Sequence, residues 1–100
     1  MNRRLIIRAE AESDIIDAAV WYESREAGLG LEVSVEIRAA IKRALEHPKA
    51  HILLRTSPEV RRILAERFPY RIFYIVRSDA VVVFAVLHAA RHDRNWRQRI

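Results

Sequence analysis

Tyr70-Arg71-Ile72-Phe73-Tyr74-Ile75-Val76-Arg77-Ser78-Asp79-Ala80-Val81-Val82-Val83-Phe84-Ala85-Val86-Leu87-His88 is the stretch that decides the fold. It holds two strand-length runs rich in aromatic and β-branched side chains, which suit a pleated, packed surface. The polar pair Ser78-Asp79 between them predicts a tight hairpin. Residues 80–88 are apolar almost throughout and are expected to form the most buried strand. Upstream, residues 60–67 alternate, with Arg61, Ile63 and Ala65 on one side and Val60, Arg62 and Leu64 on the other. That period of two predicts a third strand with one wet face, joined to the hairpin through Phe68-Pro69. Arg61 and Arg62 therefore point to opposite faces, and at most one can serve a shared site. Residues 49–59 show no clean period and contain Ser57-Pro58, so they read as an irregular connection.

Towards the N-terminus the period changes. From about Glu10, Ile15, Ala19 and Tyr22 form one row and Ile16 and Val20 the next, with acids on other faces, which predicts a helix. Glu10, Glu12 and Asp14 crowd its first turns, where the macrodipole favours negative charge. Gly28-Leu29-Gly30 reads as the joint of a helical hairpin, with Gly28 as the C-cap of the first helix. In the second helix, Val33, Ile37, Ala40, Ile41, Ala44 and Leu45 make an apolar stripe ending at His47-Pro48, because the residue before proline resists helical dihedrals. Residues 4–8 are short, β-branched and flanked by charge, and predict a first strand joining the sheet. The expected architecture is α+β, in the order β-α-α-β-β-β, with a helical hairpin over one face of a small, mostly antiparallel sheet.

Bulk composition narrows the function classes. A hundred residues, 51% of them hydrophobic, suit one packed domain spanning residues 1–100. No run reaches the eighteen or more apolar residues of a membrane span, and the start lacks the pattern of a secretory leader. The absence of cysteine excludes a disulfide framework, a cysteine zinc site and a cysteine nucleophile, and suits a cytoplasmic protein. Neither a cofactor nor a metal is expected. The net charge of +5 is uneven: residues 1–50 carry eight Lys/Arg against nine Asp/Glu, and residues 51–100 carry ten Arg against four acids. Sixteen of the eighteen cations are arginine, which suits planar contact with phosphate or carboxylate.

That excess gathers at the C-terminus, where the apolar run stops at His88 and gives way to Arg91, Arg94, Arg97 and Arg99 around Trp96. A strand leaving a sheet in this way delivers cationic side chains to one rim, fitted to phosphate or to an acidic partner. His88 and His92 have i, i+4 spacing, but two imidazoles without further ligands do not make a metal site.

The chain resembles the RelE/ParE superfamily of type II toxin–antitoxin toxins, also called plasmid stabilisation proteins. The resemblance covers essentially the whole chain. It rests on Ala9-Glu10-Ala11-Glu12-Ser13-Asp14-Ile15, on Trp21-Tyr22-Glu23 with Gly28-Leu29-Gly30, on Arg67-Phe68-Pro69-Tyr70-Arg71-Ile72-Phe73-Tyr74, and on Val86-Leu87-His88-Ala89-Ala90-Arg91 followed by Trp96-Arg97. It implies a small cytoplasmic toxin held in a hetero-oligomeric complex by a cognate antitoxin.

Two targets are implied. ParE-type members poison DNA gyrase and need no catalytic group, whereas RelE-type members cut mRNA on the ribosome. Cleavage of RNA requires a base for the 2′-hydroxyl, an acid for the leaving oxygen and cations on the phosphate. His88, Arg61 and Arg91 are the candidates here, yet arginine is a poor base and the tail holds no tyrosine. The Trp-Tyr-Glu, Gly-Leu-Gly and Phe-Pro-Tyr-Arg-Ile features resemble ParE-type members more closely, so the gyrase reading leads, without an enzymatic site. Arg91, Arg94, Trp96, Arg97 and Arg62 are then expected to contact the target. Trp21, Tyr22, Val33, Ile37 and Arg71 are expected to contact the antitoxin. A toxin-like chain that pairs with an antitoxin and acts on neither target is the remaining alternative.

Overall fold

The strand pair expected from residues 70–88 forms the centre of a five-stranded sheet. The structure is a computed structural model describing residues 2–90 and 93–100, with Asp93 and Arg94 described only as backbone. The elements run β1 (Arg4–Ile7), α1 (Ala9–Arg25), α2 (Leu29–Glu46), β2 (Ile52–Thr56), β3 (Glu59–Leu64), β4 (Tyr70–Val76) and β5 (Ala80–His88), followed by a 3-10 helix over Asp93–Arg99. The strand order is β1-β5-β4-β3-β2. β1 pairs with β5 in parallel, and the remaining pairings are antiparallel. The β4–β5 turn closes tightly, the Arg77 amide donating to the Ala80 carbonyl at 2.8 Å.

The sheet carries a core on each face. Ile63, Ile72, Tyr74, Val76, Val81, Val83 and Val86 pack under the helical hairpin against Ala11, Ile15, Val33, Ile37, Ala40 and Ala44. Val60, Phe73, Ile75, Val82, Phe84 and Leu87 face the other way and pack with Trp96 of the tail. A register shift opposite Phe73 and Tyr74 sets the consecutive residues Phe84 and Ala85 on this second face. With apolar cover on both faces, β5 needs no polar alternation, which explains its continuous apolar run.

The helix joint is built around a close approach. Gly28 adopts φ +94°, a left-handed conformation open to glycine, and is the N-cap of α2 rather than the C-cap of α1. An added Cβ at Gly30 would stand 2.6 Å from the Ala19 carbonyl oxygen, so only glycine lets the helices meet there. The Glu23 carboxylate accepts from the amides of Gly28 (3.0 Å) and Gly30 (2.9 Å), capping α2 from the neighbouring helix. These bonds hold its carboxyl below the ordinary 4.5.

Two further expectations need correction. Part of the connection expected to be irregular is the edge strand β2, paired with β3. The strand read over 60–67 ends at Leu64; residues 65–67 turn instead, where the Glu36 carboxylate accepts from the amides of Glu66 (2.8 Å) and Arg67 (3.0 Å). The tail folds back over the sheet as a 3-10 helix whose Trp96 joins the second core.

Candidate functional site

His88 ends β5 directly opposite Tyr70 of β4, and their rings meet edge to face at 5.4 Å. The imidazole Nδ1 accepts from the Ala90 amide at 3.0 Å, which leaves the Nε2 side to carry the proton of the neutral ring. Beside it lies a cavity of about 420 Å³, lined by Asp14, Asp17, Ala18 and Trp21 of α1 and by Tyr70, Val86, His88 and Ala90. Trp21 and His88, expected in separate roles, thus share one pocket. Trp21 is 51% exposed, carries the Arg25 guanidinium 4.4 Å from its ring centroid, and meets Tyr22 edge to face. Tyr22 turns inward against Phe68 and Tyr70.

The tail is fastened at two points. Trp96 is 2% exposed, stacked on Phe73 at 6.1 Å and tilted against Phe84. Arg99 donates to both Asp14 oxygens (2.5 and 3.1 Å) and to the Phe84 carbonyl, while Arg8 donates to the Arg99 carbonyl. These carboxylate bonds push the guanidinium pKa up, keeping it charged. Arg99 is therefore committed to the fold, and Trp96, expected to contact a target, is buried as an anchor. Arg97 remains exposed with its guanidinium 5.2 Å from the Trp96 ring centroid. Arg91 lies outside the described residues, as does the side chain of Arg94.

Of the residues considered for RNA cleavage, the two that are described, Arg61 and His88, do not converge. Arg61 pairs with Tyr74 in the sheet and His88 with Tyr70, on β3 and β5 respectively. They are separated by roughly 13 Å along the strands and two strand spacings of about 4.8 Å across them. Arg61 is half-buried and stapled in place: Nε donates to Glu59 at 2.7 Å, and Nη1 donates to the carbonyls of His51 (2.7 Å) and Lys49 (3.2 Å). The nearby Tyr74 hydroxyl donates to the Pro48 carbonyl, and burial pushes its pKa up to about 12, too high for a base near neutrality. Burial first, then the charge of Arg43, holds His51 below the ordinary histidine value. This cluster pins the α2–β2 connection to β3. Arg62 is half-buried on the opposite face, and Arg71 is half-buried on β4. Among the described residues, no three His, Asp or Glu side chains converge as metal ligands would.

The residues expected to meet an antitoxin divide. Val33 and Ile37 are fully buried against the sheet and cannot contact a partner. Beside Trp21, the large apolar side chains that α1 and α2 present outward are Ile16, Val20, Leu31 and Val35. The Glu12–Arg38 pair at 2.9 Å and the approach of Gly30 to Ala19 set the helix register, which places Ile16 opposite Val35 and Val20 opposite Leu31. The sequence signal was a second 3.6-residue stripe beside the buried one.

Residues 5–93 match the family described as ParE toxin of type II toxin–antitoxin system, parDE. The chain belongs to the ParE toxin family. A solved chain described as the chromosomal ParDE TA system from P. aeruginosa is similar in fold, with a TM-score of 0.76. It shares 16% identity over 86% of this chain and 95% of that one. No protein with curated annotation matches the sequence. Among the described residues of this ParE-family chain, no helix is long and apolar enough to cross a membrane.

Proposed function

We propose that this ParE-family toxin arrests growth by binding DNA gyrase and stabilising cleaved DNA, and that a cognate antitoxin neutralises it. The observation that carries the gyrase reading over RNA cleavage is the separation of His88 from Arg61, whose guanidinium is committed to Glu59 and two carbonyls. A poison needs a recognition surface instead of an acid–base pair. The Arg-rich tail supports one, with Arg97 exposed over the buried Trp96, and Arg91 and Arg94 are proposed to join it. The antitoxin is proposed to lay an apolar helical segment along Ile16, Val20, Trp21, Leu31 and Val35, giving a hetero-oligomeric complex.

The test is DNA cleavage by gyrase. The purified toxin, incubated with gyrase, ATP and supercoiled plasmid, is expected to accumulate linear DNA after detergent and protease treatment, and antitoxin is expected to abolish it. Growth arrest in cells without linear DNA in this assay would overturn the gyrase reading.

A further inference from the structure

We propose that the cavity between α1 and the ends of β4 and β5 is a binding site for an arginine side chain presented by a partner polypeptide. Its α1 wall has a repeating geometry. Asp14, Ala18 and Trp21 lie at i, i+4 and i+7, and Asp17 stands four residues before Trp21, so all four share one helix face. Ala18 is the small residue of that face, and its short side chain leaves room between the acids and the indole. The opposite wall is the Tyr70–His88 pair, held edge to face across the strands. Val86 contributes an apolar floor.

The chemistry of this lining selects a planar cation. The two acids differ in what they have to do: Asp14 is occupied by Arg99 and by the Val86 amide at 2.9 Å. Asp17 has no hydrogen bond or ion pair to another described residue, so its charge is available to a ligand. Trp21 and Tyr70 make its lining aromatic, and a guanidinium combines a pairing edge for a carboxylate with a flat surface for aromatic rings. The Arg25 guanidinium on Trp21, which does not line the cavity, is the same contact made within the chain. A phosphate would be repelled by Asp17, so this pocket does not extend the cationic tail towards nucleic acid. Among the described residues that line it, the cavity holds two acids and no lysine or arginine, which suits a basic residue of a protein partner. The inference does not depend on gyrase being the target.

The test titrates the full chain with N-acetyl-arginine amide and, separately, with N-acetyl-norleucine amide, following indole and amide resonances by NMR. Arginine amide is expected to shift the Trp21 indole and the Tyr70 signals with a dissociation constant on the order of 1–10 mM, leaving the buried Trp96 indole unmoved. Norleucine amide is expected to shift neither. Asp17→Asn, at an exposed position, should keep the spectrum of the folded chain and weaken arginine binding about two- to fivefold. Equal shifts from norleucine would make the cavity merely apolar. Undiminished binding in Asp17→Asn, or no arginine-dependent shift of Trp21, would overturn the assignment.

Discussion

The two faces of the sheet are covered by different means. On one, two helices of seventeen and eighteen residues lay down a broad apolar surface. On the other, a seven-residue 3-10 helix covers Phe73 and Phe84 through one indole and one arginine. A helix pair spreads its stabilisation over many small contacts, so a single truncation removes a fraction of it. A short 3-10 segment has little intrinsic stability and depends on its anchors. The charge is divided in parallel: the first fifty residues are near neutral, whereas the last fifty hold the arginine excess. The cationic surface proposed to meet the target is therefore mounted on the face with fewer fastenings.

Trp96→Ala tests that contrast most severely. Removing a buried indole from a core is expected to cost about 3–5 kcal/mol, read as a lower urea midpoint. Amide exchange should rise first in the tail and along the second face of β5, and growth inhibition should fall. An equal rise of exchange in α1 and α2 would show that the faces do not behave separately.

Gly30→Ala probes the helical face where it is least tolerant. The new methyl would meet the Ala19 backbone, which cannot move aside as a side chain end would. A loss of about 1–3 kcal/mol is expected, with the tail contacts unchanged. A stability equal to wild type would mean that the joint yields easily and is not the fixed point of the hairpin.

Arg99→Ala should have a smaller effect. It removes a two-point ion pair that remains partly open to water, so about 1–2 kcal/mol is expected instead of the larger loss typical of a fully buried pair. In combination with Trp96→Ala, most of this loss should disappear, because both residues fasten the same segment. Strict additivity in a double-mutant cycle would show two independent attachments.

The sequence was legible where one physical rule acted alone. The helical periods, the Ser78-Asp79 hairpin and the unbroken apolar run of β5 each had a single reading. β2 was missed because both Ile52 and Leu53 are exposed on an edge strand, which leaves no alternation to detect, and Ser57-Pro58 suggested a loop. The tail read as a charge run because the 3-10 fold depends on Phe73 and Phe84, which are distant in sequence. Val33 and Ile37 illustrate a different failure: a periodic apolar stripe identifies a packed face, not a partner's footprint. The outward pair Leu31 and Val35 becomes distinguishable only once the inward stripe is known. The pocket containing Trp21 and His88 was likewise invisible, since strand pairing alone sets Tyr70 beside His88 and packing alone brings α1 over them.

The smallest expected effect returns to the helical face and separates its charge from its packing. Glu23 caps α2 through two backbone amides, and those bonds lower its folded-state pKa below 4.5. A carboxyl depressed on folding contributes stability that is fully present above its unfolded pKa and is lost as pH falls through the folded value. Wild type should therefore melt above Glu23→Gln at about pH 7, with the gap steady down to about pH 4.5 and closing below it. Glu36→Gln should behave alike, since its carboxylate holds the Glu66 and Arg67 amides in the same way and is depressed for the same reason. By contrast, the gap between wild type and Trp96→Ala should persist through that window, because burial of an indole involves no titrating group. A Glu23 gap that stayed constant in acid would assign the cap to shape alone, and the helical face would then depend on packing as completely as the tail depends on Trp96.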